Sequence, residues 1–213
     1  MRPLFNWNPR SREGPSSSPA GRITETLSAS RALPKFLASL ASQPAPVLLD
    51  LGPVVGANVS FFGDRLGCKM LIEDLHDDID ASLRAGSVDT LGEALTSRLQ
   101  AVAAEPVNGV LCWDIFDYLD RRTARTLGSA LGRLLAPKGV LHAFFGTTSG
   151  DLHGRTKYIV QSDVAMKCRY EPAPPIRRQA LPSGEIGRLF PGLAIAESVL
   201  LQNNTHEWLF RKS

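Results

Sequence analysis

The sequence predicts an α/β fold: a doubly wound, mostly parallel sheet that ends in an antiparallel β-hairpin. Three observations carry this prediction. Short apolar runs alternate with stretches of helical periodicity between residues 47 and 146, several runs end in an acid or a glycine, and two strand-like runs flank Asn203-Asn204 near the C-terminus.

In chain order, residues 1–22 contain NPRSREGPSSSPAG, which has almost nothing to bury and reads as a flexible tail before one domain over residues 23–213. From Thr24 to Ala41, Leu27, Leu33, Phe36, Leu37 and Leu40 recur at helical spacing, predicting a single helix broken at Pro34. VLLDLG is apolar on both faces and fits a buried parallel strand. ANVSFFGDRLG reads as a helix over Phe61, Phe62 and Leu66 closed by Gly67, and CKMLIED as the next strand, making a right-handed βαβ unit.

Helical spacing returns through Leu91, Leu95 and Leu99. Because Leu83 to Glu105 reads mostly as one helix, the third strand of such a sheet is shortened or missing. GVLCW is a strand, a helix follows through Ala124, Leu127, Leu131, Leu134 and Leu135, and Lys138-Gly139 turns the chain into the strand VLHAFF. Weak alternation over Tyr158–Val160 and Val164–Tyr170 predicts an extra hairpin or lid before the turn at Pro172–Pro175. Leu193–Leu201 and His206–Arg211 form the closing hairpin.

Composition narrows the function. The chain has 213 residues, 43% hydrophobic and 21% charged, with no apolar run of membrane-span length and no N-terminal apolar segment, so the expectation is a cytoplasmic protein without membrane contact. Cys68, Cys112 and Cys168 are far apart in apolar surroundings and predict reduced core residues. The net charge of +3 is carried by Arg2, Arg10, Arg12 and Arg22 against Glu13, which leaves the remainder neutral and gives no strong nucleic-acid signal. His76 among Asp74, Asp77 and Asp78 does not predict a metal site, since acids on one loop rarely converge as ligands. The sequence holds no G-x-S-x-G elbow and no Walker loop.

The chemistry-bearing motif is DLGPVVG, Asp50 to Gly56, where a strand end opens a helix and glycines let a ligand approach the backbone. Glu73-Asp74 ends the next strand, at the spacing where a carboxylate accepts ribose hydroxyls at the carboxyl edge of the sheet. The same acids also suit the N-terminus of the following helix.

These residues, with VLCWDIFDYL from Val110 to Leu119 and the final hairpin, resemble the class I S-adenosylmethionine-dependent methyltransferases from about residue 45 onward. The resemblance implies S-adenosylmethionine as cofactor, with Asp50, Gly52 and Gly56 at its amino-acid end and Glu73 or Asp74 at its ribose. It implies catalytic-edge roles for Trp113 and Asp114: an indole covers a sulfonium, and a carboxylate orients an amine; the alternative reading is a core Trp113 with Asp114 and Asp117 capping the following helix. The methyl acceptor is not identified; Arg155, Lys157, Lys167, Arg169, Arg177 and Arg178 are compatible with an anionic one. The chain departs from the family where Val54 replaces the middle glycine, where Asn108 replaces an acid and where the third strand is lost. The intact Asp50, Gly52 and Glu73-Asp74 favour the leading expectation, an enzyme that transfers a methyl group from S-adenosylmethionine to an unidentified acceptor; the departures favour the alternative, a non-catalytic protein of the same fold that serves as an interaction or regulatory module.

Overall fold

The computed structural model describes residues 22–201 and 203–213, so the expected tail lies outside the described residues except for Arg22. The elements are β1 (Thr24–Ala29), α1 (Leu33–Ala41), β2 (Val47–Asp50), α2 (Gly56–Val59), β3 (Lys69–Ile72), α3 (His76–Ala85), α4 (Val88–Val102), β4 (Val107–Trp113), α5 (Arg121–Leu134), β5 (Leu135–Gly146), β6 (Gly150–Ser162), β7 (Ala165–Arg178), α6 (Ser183–Ile186), β8 (Leu193–Leu200) and β9 (Thr205–Lys212). A π-helical stretch, Ser60–Arg65, extends α2, and a 3-10 turn, Ile115–Tyr118, follows β4.

The main sheet has six strands in the order β3-β2-β4-β5-β9-β8, parallel from β3 to β5 and antiparallel through β9 and β8. This is the predicted doubly wound sheet with its closing hairpin, and the third strand is absent: α3 and α4 join β3 to β4 directly, turning at Gly86 with φ +66°. Period-2 alternation sends neighbouring side chains to opposite cores. Leu49, Val110, Leu141 and Phe210 pack with α4 and α5 on one face. Leu48, Leu111, Val140 and Leu209 pack with Leu33, Phe36, Leu37 and Leu40 of α1 on the other.

Thr24–Ala29 is a strand rather than the first part of a helix, which corrects the helical reading of Thr24–Ala41. Helix α1 begins at Leu33, with Pro34 in its first turn, where a missing N–H costs nothing. Leu27, the apolar residue that extended the helical pattern backward, is 73% exposed. Thr24, Thr26 and Ser28 instead alternate along a strand that pairs antiparallel with β7.

That pairing completes a second, three-stranded antiparallel sheet, β1-β7-β6. Its hairpin is the expected lid, and it lies over the carboxyl edge of the main sheet. Buried Asn58, in α2, ties it down by acting as an extra peptide group: its Nδ2 donates to the Tyr158 carbonyl (2.8 Å) and its Oδ1 accepts from the Val160 N–H (2.9 Å). Arg155 of β6 pairs with Asp80 of α3 and lies 4.9 Å from the Tyr118 ring centroid.

A buried polar knot fixes α1 to the sheet. Glu207 of β9 accepts from Ser30 Oγ, from the Arg31 N–H (3.0 Å) and, in the neutral tautomer protonated there or in the cation, from His142 Nε2 (2.8 Å). Ser30 Oγ in turn accepts from the Leu33 N–H (2.9 Å) and caps the helix start. Burial raises the Glu207 pKa, but His142, Ser30 and the Arg31 N–H outweigh it and hold the carboxyl below its ordinary value. Glu207→Ala strands these donors away from water and is expected to lower unfolding free energy by about 3 kcal/mol. Urea denaturation at pH 7 checks this, and a loss below about 1 kcal/mol contradicts it.

Candidate functional site

Parallel pairing of β2 with β3 and β4 brings Asp50, Glu73 and Trp113 to one edge, and the Glu73 N–H donates to the Asp50 carbonyl (2.8 Å). At the end of β4 the ladder with β5 shifts register, and Trp113 takes φ +49°, a left-handed conformation that few non-glycine residues hold without support. The support is visible in its partners. The indole Nε1–H donates to Asp50 Oδ1 (2.6 Å), the same oxygen that accepts from the Gly52 N–H (3.0 Å). The ring stacks on Tyr158 of the lid (5.2 Å between centroids, 2° between planes), and Tyr158 stacks on Phe144 (4.9 Å, 16°).

The indole covers Gly52. A Cβ at Gly52 would lie 2.7 Å from Trp113 Cδ1 and 2.9 Å from its Nε1, so the glycine is needed here for the tryptophan itself. Gly56 is different, since a Cβ there would meet nothing within 4 Å. Val54 points outward at 71% exposure and narrows no crevice. Asn108 accepts the Val47 N–H (2.8 Å) and anchors the start of β2.

The two ribose candidates diverge. Glu73 is buried and ion-paired with Arg98 of α4. Asp74 accepts from the backbone N–H of His76 (3.0 Å) and pairs with its Nδ1 (2.8 Å); burial raises its pKa, but His76 and then Arg155 reverse this and leave it lowered. Its side chain remains 38% exposed and lines a cavity of about 210 Å³ with Pro53, Asp77, Arg155 and Lys157.

Asp114 faces elsewhere, into a second cavity of about 190 Å³ between the lid and the main sheet. The sequence reading missed its companions: Asp117, Tyr118, Tyr158 and Arg178. Asp117 accepts the Gly146 N–H through both oxygens (2.9 and 3.0 Å) and Arg178 Nη1 through Oδ2 (3.2 Å). Gly146 was the available signal, because a Cβ there would overlap the Arg178 guanidinium. Among the described residues no group of three or more His, Cys, Asp or Glu is arranged to hold a metal, and no helix is long and apolar enough to cross a membrane.

No family model and no curated protein matches the chain. Solved structures do. An S-adenosylmethionine-dependent methyltransferase from Clostridium acetobutylicum superposes with a TM-score of 0.51 at 11% identity, covering 85% of this chain and 91% of that one. The Burkholderia thailandensis 1,6-didemethyltoxoflavin-N1-methyltransferase, solved with 1,6-didemethyltoxoflavin and S-adenosylhomocysteine, superposes with a TM-score of 0.50 at 16% identity, covering 86% and 77%. The chain therefore has the class I methyltransferase fold; identities this low carry the fold and not the activity.

The arrangement around the glycine turn does not fit S-adenosylmethionine. The face of Gly52 is covered by an indole, Asp50 Oδ1 is engaged twice, and Glu73 is committed to Arg98. The cavity that remains beside Asp74, about 210 Å³, is below the roughly 300–1,000 Å³ usual for ligands of that size.

Asp50 reports on this closure. Burial pushes its pKa up to about 6, against bonds from the Gly52 N–H and Trp113 that lower it. A raised carboxyl pKa means that the folded state binds the proton more tightly, so this stabilisation is full below the unfolded value of 3.8 and is lost as pH rises through about 6. Asn at this position keeps an acceptor oxygen and cannot ionise. Asp50→Asn is therefore expected to exceed the wild type in stability by about 2–3 kcal/mol at pH 8 and to match it near pH 4. Urea unfolding across that range measures the difference, and a variant less stable at pH 8 refutes it.

Proposed function

We propose that this chain is a non-catalytic protein of the methyltransferase fold, working as an interaction or regulatory module instead of transferring a methyl group. The observation that supports this reading is the Trp113 indole seated on Gly52 and bonded to Asp50, in the space where a cofactor would meet the glycine turn. The occluding residue is not Val54, whose side chain is directed to solvent. Glu73, held by Arg98, adds to the same conclusion, as does the absence of a third strand whose end would flank an adenine.

Trp113 must be costly to move. Leaving Gly52 breaks a buried hydrogen bond to Asp50 and an aromatic stack through Tyr158 to Phe144, each on the order of 1 kcal/mol or more, and uncovers buried ring surface. Methyl transfer is the competing reading, and it requires that movement as the first step of cofactor binding.

Calorimetric titration with S-adenosylmethionine and S-adenosylhomocysteine separates the two. The wild type is expected to give no binding at millimolar ligand. Trp113→Ala, checked for folding by circular dichroism, is expected to gain at least about tenfold in affinity, corresponding to 1.4 kcal/mol or more. Low-micromolar binding by the wild type overturns the non-catalytic reading.

A further inference from the structure

The cavity between the lid and the main sheet is built from strand alternation. Thr24, Thr26 and Ser28 of β1, Met166, Cys168 and Tyr170 of β7, and Gly154, Thr156 and Tyr158 of β6 all line it. The register pairs Thr26 with Cys168 and Cys168 with Tyr158, so one face of the small sheet forms its roof. Gly154 is obligatory in that roof, because a Cβ there would collide with the Tyr170 ring. Asp114, Asp117, Tyr118 and Phe144 of the main-sheet edge form the floor, and Arg178 closes one side.

Two acids, Asp114 and Asp117, and one cation, Arg178, line this cavity. Asp114 and Asp117 are 8% and 7% exposed, and the guanidinium of Arg178 pairs with Asp117. Asp114 Oδ2 accepts from the Tyr118 hydroxyl (3.1 Å), while its Oδ1 accepts no hydrogen bond. Burial, then repulsion from Asp114, pushes the Asp117 pKa up to about 7, against the Gly146 N–H and Arg178. Burial pushes the Asp114 pKa up as well, against His76, the Tyr118 hydroxyl and Tyr158. A buried carboxylate with an open acceptor position is stabilised by a donor that carries positive charge.

From this we infer that the cavity binds a small organic ammonium ion, with Asp114 as its counter-ion and the aromatic lining around its apolar part. A metal ion is disfavoured because, among the described residues, no third His, Cys, Asp or Glu is grouped with the two carboxylates to hold one, and because Phe144, Leu152, Met166 and Leu201 make much of the wall apolar. The size is set by the volume: about 190 Å³ exceeds the roughly 150 Å³ that accepts benzene, leaving room for a ring with a short aminoalkyl arm. Aromatic side chains in the wall favour a cation over a neutral ligand of the same shape. The inference goes beyond the reading of the glycine turn and does not depend on it, since the two cavities are lined by different acids.

Three probes of nearly one shape test it by calorimetry on the full chain at pH 8: benzylamine, benzyl alcohol and benzoate. Benzylamine is expected to bind at least about tenfold more tightly than benzyl alcohol, and benzoate not at all. Asp114→Asn is expected to abolish that preference, bringing the amine to the alcohol's affinity. Should Asp114→Asn fail to fold by near-ultraviolet circular dichroism, Thr26→Phe fills the roof from the edge strand and is expected to remove amine binding while leaving the Trp113 signal intact. Equal affinity for amine and alcohol, no binding of the amine by the wild type, an unchanged preference in Asp114→Asn, or undiminished amine binding in Thr26→Phe overturns the inference.

Discussion

A carboxylate buried at the end of a central strand must be satisfied, and in this protein the partner of Asp50 is an indole. That single requirement organises the catalytic edge of the fold. Trp113 bonds to Asp50 from left-handed backbone space at the end of β4, with Cδ1 and Nε1 of its ring against Gly52. The ring stacks on Tyr158 of the lid, with Phe144 at the end of a three-ring stack. A local strain at one residue is thus held by burial, a hydrogen bond and stacking from three different elements.

The lid is more than an appended hairpin because its attachments are buried and directional. Asn58 continues the hydrogen bonding of β6 from the helix that follows the glycine turn, which ties the lid to that helix. Arg155 and Arg178 bind its strands to α3 and to the 3-10 turn after β4. Of the cations in this region, Arg155, Lys157, Lys167, Arg169 and Arg178 each pair with Asp80, Glu171, Glu25 or Asp117. An excess visible along the chain is largely neutralised in three dimensions, while Asp114 beneath the lid keeps an open acceptor position.

Much of the fold was legible in the residues. Continuous apolar runs such as VLLDLG and VLHAFF have no polar face and belong between two helical layers, and the closing hairpin follows from Asn203-Asn204, where Asn204 takes the left-handed φ of +56° that such a turn needs. The loss of the third strand was equally visible, because Val88–Val102 leaves no room for one. Strand β1 was misread because Leu27 extended a helical spacing by chance, and strand pairing outweighed it.

The glycine turn and the acids of the second strand follow from sequence alone, since turn geometry and strand length are local properties. What those residues do was decided by contacts that sequence spacing does not encode. Val54, beside the turn, proved irrelevant to the crevice, whereas Trp113, about sixty positions further on, closes it. Glu73 and Asp74 are adjacent in the chain yet bond to Arg98 and His76 respectively, and Asp114 faces a cavity that exists only because β1 and the lid hairpin form a sheet above it. Sequence determined which groups stand at the edge; packing determined which of them remain free, because hydrogen-bond capacity and volume, once used by a neighbour, are no longer available to a ligand.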